Sequence, residues 1–253
     1  MIKQKKHRPR GVQDAVYSTL RSSIININLV PGASISETEI SKKIKVSRTP
    51  VREAFIQLSK EGLVEVIPQK GTLVSLIDPA RVKQEFFIRE SLETAALEQF
   101  LLSNGSRYFT EMENLIDLQS SALKSKSYIE FIKHDDRFHQ ILFEAAEQHL
   151  SWEVLASMCG HYHRIRMLTI WMEGIGDEKV VEHKKILAAL KKNDLAKARK
   201  MLYMHLHNLD TEEKLLRKKF QGYFASEDSK TAFEVDFGGF PLLRGSKAKN
   251  QPE

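Results

Sequence analysis

The chain has 253 residues, 42% hydrophobic and 28% charged, with a formal net charge of +6 at pH 7. That length allows one large domain or two ordinary ones, and the composition lets most of the chain bury a core, which excludes a wholly disordered protein. No run of about 18 apolar residues occurs, and the N-terminal MIKQKKHRPRG leads into a polar helix rather than the apolar core of a secretion signal, so a cytosolic protein without a membrane partner is expected.

The charge is uneven. Met1 to Ser75 carries thirteen Lys and Arg against six Asp and Glu, a surplus of seven that exceeds that of the whole chain. Such asymmetry points to a polyanion, because each cation reaching a phosphate releases condensed counterions. Five of those cations precede Gly11, in a stretch without helical pattern. Residues 1–11 therefore read as a flexible basic arm that attracts phosphate without reading sequence. The single cysteine, Cys159, has no internal disulfide partner, which fits a reducing compartment. It reads as a buried hydrophobe rather than a nucleophile.

Residues 12 to 27 predict a helix, with Val16, Leu20, Ile24 and Ile27 at helical spacing, ended by Leu29-Val30-Pro31-Gly32. Ser36 and Glu39 form a capping box opening a short helix that runs to Ile44. After a turn at Lys45-Val46, Ser47 to Glu61 predicts a third helix, with Pro50 tolerated in its first turn and Gly62 at its end. Two β-branched runs, Leu63 to Ile67 and Thr72 to Ile77, flank Pro68-Gln69-Lys70-Gly71 and predict a hairpin. Three helices followed by one hairpin, with a minimal turn between the second and third, predict a winged helix-turn-helix over 12–77.

From Asp78 onward the patterns are helical alone: one to about Ser103, then 108–124, 127–147, 150–173, 177–192 and 194–220. Residues 78–220 are thus expected to form an all-α bundle for sensing and dimerisation, and the fold class is mainly α. Periodicity is lost after Gln221, so 221–253 reads as a mostly disordered tail, with docking of its aromatics as the alternative.

The segment from Ile24 to Val74, with VSRTPVREA, a hydrophobic helix, EGLV and a PxxG turn, resembles the N-terminal domain of the GntR family of bacterial regulators. The helical part is similar to the FadR subfamily, whose effector domain is an all-α bundle of the FCD type. Together the resemblances cover about residues 12 to 220. They imply a homodimeric, ligand-controlled transcription regulator, not an enzyme, that reads a palindromic operator in double-stranded DNA, with repression relieved by ligand. One position departs: where the family has Gly four residues before the Pro of its PG turn, this chain has Ile27, between Asn26 and Asn28. Asparagine tolerates left-handed geometry, so the turn is expected to have moved by one residue.

A recognition helix presents its N-terminal residues to the major groove, where Arg bonds guanine bidentately. By resemblance, Arg48 and Arg52 contact bases or phosphates, Ser47 and Thr49 support the backbone, and Lys70 and Gly71 at the wing tip approach the minor groove. Thr38 stands where many relatives carry a phosphate-contacting arginine, which weakens that contact. Val51, Ala54, Phe55 and Leu58 take the buried face, leaving Arg48 and Arg52 outward.

In the helix near 127–147, Phe131, Asp135, Phe138, His139 and Leu142 fall on one stripe, so an Asp/His pair at i, i+4 interrupts an apolar face. That pair alone fits a chelate or a hydrogen-bonded core pair equally well. The oddity recurs: His183 lies in the stripe of Val180, Leu187 and Leu190, and His205 in that of Ala198, Leu202 and Leu209. One shared divalent metal would satisfy all four groups in a core that penalises unpaired polar atoms. The FadR subfamily often carries an Asp and three His at such places, and DDRFH, EHKKIL and MHLHN look like its ligand segments. Asp135, His139, His183 and His205 are therefore assigned as metal ligands, with His161, His163 and His207 as nearby competitors. The donor set suits zinc, nickel or manganese. Arg89, in the stripe of Val82, Phe86, Glu93 and Ala96, is the expected partner of a small carboxylate effector, with a salt bridge to Glu93 as the alternative. A metal-dependent hydrolase would need a general base beside the metal, and no HExxH or comparable pairing occurs.

Overall fold

A computed structural model describes residues 11–67, 71–103 and 105–226, with the backbone alone for 208–212. The basic arm before Gly11, Lys70 at the wing tip and the tail after Ser226 lie outside the described residues. The N-terminal part is a winged helix-turn-helix and the C-terminal part is helical throughout, so the chain is mainly α.

Helix α1 (Val12–Ile25) leads to a short strand β1 (Ser34–Ile35), then α2 (Glu37–Ile44) and α3 (Arg48–Lys60). Ser36 caps α2 by accepting the Glu39 N–H at 3.1 Å, as the capping box requires. Lys45, at φ 56°, makes the left-handed turn into α3. Strands β2 (Val64–Ile67) and β3 (Gly71–Val74) form the wing, and the sheet runs β1-β3-β2, antiparallel throughout. Strand β1 escaped the sequence because two residues carry no alternation to detect. Val16, Leu20 and Ile24 of α1 meet Val51, Ala54, Phe55 and Leu58 of α3 over Leu63, Val64 and Val74. Each of these side chains other than Ala54 contributes about 1.5–3 kcal/mol when fully buried.

The helix expected over 12–27 stops at Ile25, and the turn has not moved. Ile27 itself adopts the left-handed conformation, at φ 59°. For a β-branched residue that costs about 1–2 kcal/mol. The cost is offset because Ile27, only 4% exposed, is buried in the core of the helical domain rather than its own.

That second core is built by α4 (Pro79–Leu102), α5 (Phe109–Lys124), α6 (Tyr128–Ala145), α7 (His149–Met158), α8 (Gly160–Ile170), α9 (Ile175–Lys191) and α10 (Leu195–Lys219). Asp78 caps α4, accepting the Ala80 N–H at 2.8 Å. The single helix expected over 150–173 is two, broken at Cys159. A Cβ on Gly160 would stand 2.9 Å from Leu63 Cδ2, so the break and the missing side chain let α8 press its backbone against the DNA-binding domain.

The two domains are joined by buried polar contacts from α8. His161 Nε2 lies 3.1 Å from Gly62 O and its Nδ1 accepts the Asp78 N–H at 3.0 Å, which fixes the neutral tautomer with the proton on Nε2. Arg164, wholly buried, donates to Ser75 O at 2.6 Å and to His161 Nδ1 at 2.9 Å. The start of the expected tail is ordered against the same linker. Gln221–Tyr223 form a short 3-10 turn, Ile77 donates to Tyr223 O at 2.8 Å, Ala225 donates to Ile77 O at 2.9 Å, and Phe224 is buried. Its aromatics give that segment a core to join, which outweighs its lost periodicity.

Candidate functional site

Asp135 and His139 project from one face of α6, His183 from α9 and His205 from α10, and all four are buried. One donor atom from each lies within 4.8 Å of the others. His139 Nε2 stands 3.2 Å from His205 Nε2 and 3.4 Å from His183 Nε2, and the Asp135 carboxylate stands 3.4 Å from His183 Nε2 and 3.9 Å from His139 Nε2.

The opposite edges of these rings decide what the cluster can do. His183 Nδ1 donates to Gln119 Oε1 at 2.8 Å and His205 Nδ1 donates to Glu182 Oε2 at 2.8 Å. His139 Nδ1 lies 2.8 Å from Glu93 Oε2, close but out of line for a hydrogen bond. With the protons of His183 and His205 held at Nδ1, and that of His139 drawn to the same edge by the Glu93 carboxylate beside it, three Nε2 lone pairs aim at one point beside a carboxylate. Lone pairs cannot bond one another, whereas a divalent cation would accept all of them. Burial pulls the His183 imidazole down to about 3 and holds His205 well below its ordinary value, which keeps both in the neutral form that ligates metal. Burial alone would raise Asp135, but Arg166, His183 and His139 outweigh it and keep the carboxylate ionised.

A cavity adjoins the donor set, lined by Arg89, Tyr162, Arg166, Thr169 and Lys179 as well as Asp135 and His205. Arg89 Nε donates to Glu93 Oε1 at 2.5 Å, so the internal salt bridge forms, yet the guanidinium still faces the cavity. Burial alone would raise Glu93, but Arg89 and His139 hold it down to about 2. Arg166 bridges Asp135 and Asp136, the latter at 2.7 Å. Thr169 Oγ1 is buried without a hydrogen-bond partner among the described residues. Sequence reasoning missed Tyr162, Arg166 and Thr169, although their i, i+4, i+7 spacing along α8 carries the signal. The three competing histidines stand elsewhere: His161 at the linker, His163 within 3.3 Å of Asn26 Oδ1, and His207 donating to Tyr203 O at 3.0 Å.

At the far end of the molecule, Ser47, Arg48, Thr49 and Arg52 are all exposed at the N-terminus of α3, and neither arginine pairs with another described residue. Ser47 makes no side-chain cap, since the N3 position is Pro50, which lacks an N–H. The Arg48 and Thr49 amides stay available to an anion. Gly71, at φ 99°, is exposed at the end of the wing, in a conformation that a side chain would strain.

A helix-turn-helix with a wing, carried on a helical domain that encloses a buried polar cluster, defines a transcription regulator rather than an enzyme. Residues 12–74 match the model of the gntR family of bacterial regulatory proteins, and residues 85–208 match that of the FCD domain. A transcriptional regulator from an unstable DNA locus of Streptomyces ambofaciens is 32% identical over 212 residues, spanning 84% of this chain and 89% of that protein. The chain belongs to the GntR family, with an FCD domain as its helical part. The transcriptional repressor RspR of Escherichia coli is 29% identical over 216 residues, 85% of this chain and 95% of that protein. In fold, it is similar to Escherichia coli McbR/YncC, with a TM-score of 0.69 at 18% identity over 83% of this chain and 99% of that one. A GntR regulator from a Rhodococcus species gives 0.65 at 23% identity over 81% and 97%. Among the described residues no helix is long and apolar enough to cross a membrane.

Proposed function

We propose that the chain is a cytoplasmic, homodimeric repressor of the FadR type that reads a palindromic operator and is released by a small carboxylate bound beside a divalent metal. The observation that carries this reading is the set of three Nε2 lone pairs and one carboxylate converging in the helical core, on the far side of α8 from the DNA-binding domain. Asp135, His139, His183 and His205 would hold the ion, and Glu93, Gln119 and Glu182 orient the rings. Zinc, nickel and manganese all suit one carboxylate and three imidazoles; the bound ion would supply a positive point for an effector oxygen. Arg89 adds a fork-shaped cation beside it.

On the DNA side, Arg48 and Arg52 meet the major groove, Ser47 and Thr49 the backbone, and Lys70 and Gly71 the minor groove. The repressor sign is supported by the name of the Escherichia coli relative. Two-fold symmetry of the dimer would be matched by two half-sites.

The metal is tested by its stoichiometry. Protein exposed to zinc and then desalted is expected to retain about one ion per chain, and the Asp135→Asn/His139→Ala double variant close to none, with folding checked by circular dichroism. Equal retention by a folded double variant would remove these residues from the site.

A further inference from the structure

Two cavities share one wall. The cavity beside the donor set measures about 30 Å³. Roughly 10–15 Å³ of such volume accommodates one water, so this space admits a carboxylate and little else. A second cavity of about 170 Å³ shares Arg89, Tyr162 and Arg166 with it. The rest of its lining comes from both domains and includes Arg21 and Ile25 of α1, and Asp136, Trp152, Leu155 and His163 of the helical domain.

We infer that this interdomain cavity is the second half of the effector site and takes the compact apolar body of a monocarboxylic acid. The carboxylate stays with Arg89 at the shared wall, and the body rests against α1 of the DNA-binding domain. The inference builds on the effector reading above and adds the ligand class and its contact with the DNA-binding domain.

Arg89 is the anchor because only its Nε is engaged, by Glu93. Among the described residues no other hydrogen bond is made by this almost fully buried side chain, so both terminal nitrogens are available to a carboxylate. Thr169 Oγ1, also buried and unpartnered, faces the smaller cavity as a further hydrogen-bonding group. An acid gripped there has room for its body only in the larger space.

The charges of that space select for a single carboxylate. Arg21 is already committed, its Nε to Glu61 at 2.8 Å and its Nη2 to Ala156 O and Ser157 O at 2.8 and 2.9 Å. His163 is held down to about 4 by burial, so it brings no cation. Arg166 is committed to Asp135 and to Asp136, the latter at 2.7 Å, so no cation is left for a second carboxylate, while Ile25, Trp152 and Leu155 offer apolar surface. A bound acid would touch the helix that Arg21 ties to α7, and so bear on the posture of the DNA-binding domain directly.

The test is calorimetric titration of zinc-loaded, full-length protein with acetate, butyrate, pentanoate, hexanoate and glutarate. Affinity is expected to rise roughly fourfold per buried methylene from acetate onward. Glutarate should bind more weakly than pentanoate. Ile25→Trp, which fills the cavity from α1, should abolish the gain with length while leaving acetate within about twofold. As a check independent of that variant, Leu155→Trp, which fills the same cavity from the helical domain, should likewise abolish the gain with length. Length-independent affinity, a gain that survives in folded Ile25→Trp or folded Leu155→Trp, or glutarate binding above pentanoate would each overturn the inference. If no acid of any length binds the wild type, the effector reading itself falls and takes this one with it.

Discussion

Arg48 and Arg52 illustrate how much one side chain can decide. Both are exposed on a helix whose opposite face, Val51, Ala54, Phe55 and Leu58, is buried, so neither contributes to the core. Arg48→Ala or Arg52→Ala should therefore weaken operator binding by about 1–3 kcal/mol at fixed salt and leave the melting temperature unchanged. A titration with unaltered affinity would take that residue off the reading surface. The histidines make a second prediction. His163 and His183 are depressed to about 4 and 3 by burial, and His161 and His205 lie well below their ordinary value. Unfolded, each takes up its proton near pH 6.5, before the folded form does, so their contribution is complete above that pH and is lost as acid is added. Stability should fall between about pH 6.5 and 4 by up to roughly 1.4 kcal/mol per unit for each histidine still neutral when folded. Denaturant melts across that range check the sign, and stability that rises on acidification would contradict the assigned protonation.

Helices with a strong apolar stripe and a clear stop were legible from the sequence, α3 and α6 among them, because burial on one face leaves a period that can be read. The clustering of Asp135, His139, His183 and His205 was legible for the converse reason: an Asp and three His interrupt such stripes. Contacts between domains were not. Nothing in the local pattern announces that Ile27 leaves its own core for another, that Cys159 breaks a helix so that Gly160 can meet Leu63, or that Phe224 lies beside Ile77. Those features are set by partners distant in the chain. The α1–β1 turn tests this view. Glycine ordinarily weakens an element relative to alanine, but at a left-handed position the order inverts. Ile27→Gly should lose buried area yet exceed Ile27→Ala in stability by about 1 kcal/mol in equilibrium unfolding. The reverse order would mean that Ile27 is not left-handed in solution.

Across the whole molecule, α8 is the element that faces both ways. Tyr162, Arg166 and Thr169 line the cavity beside the donor set, while His161 and Arg164 hold Gly62, Ser75 and Asp78 of the DNA-binding domain and linker. A ligand that differs in affinity between two postures of α8 would shift the equilibrium between them by that difference and no more. The most direct measurement is the dissociation constant for an operator recovered by in vitro selection, taken at one salt concentration against random duplex, with zinc and hexanoate present and then with both withheld. The account predicts clear preference for the selected site and a weakening of at least about fivefold when metal and acid are bound. Equal affinity for selected and random duplex, or operator binding indifferent to metal and acid, would contradict it.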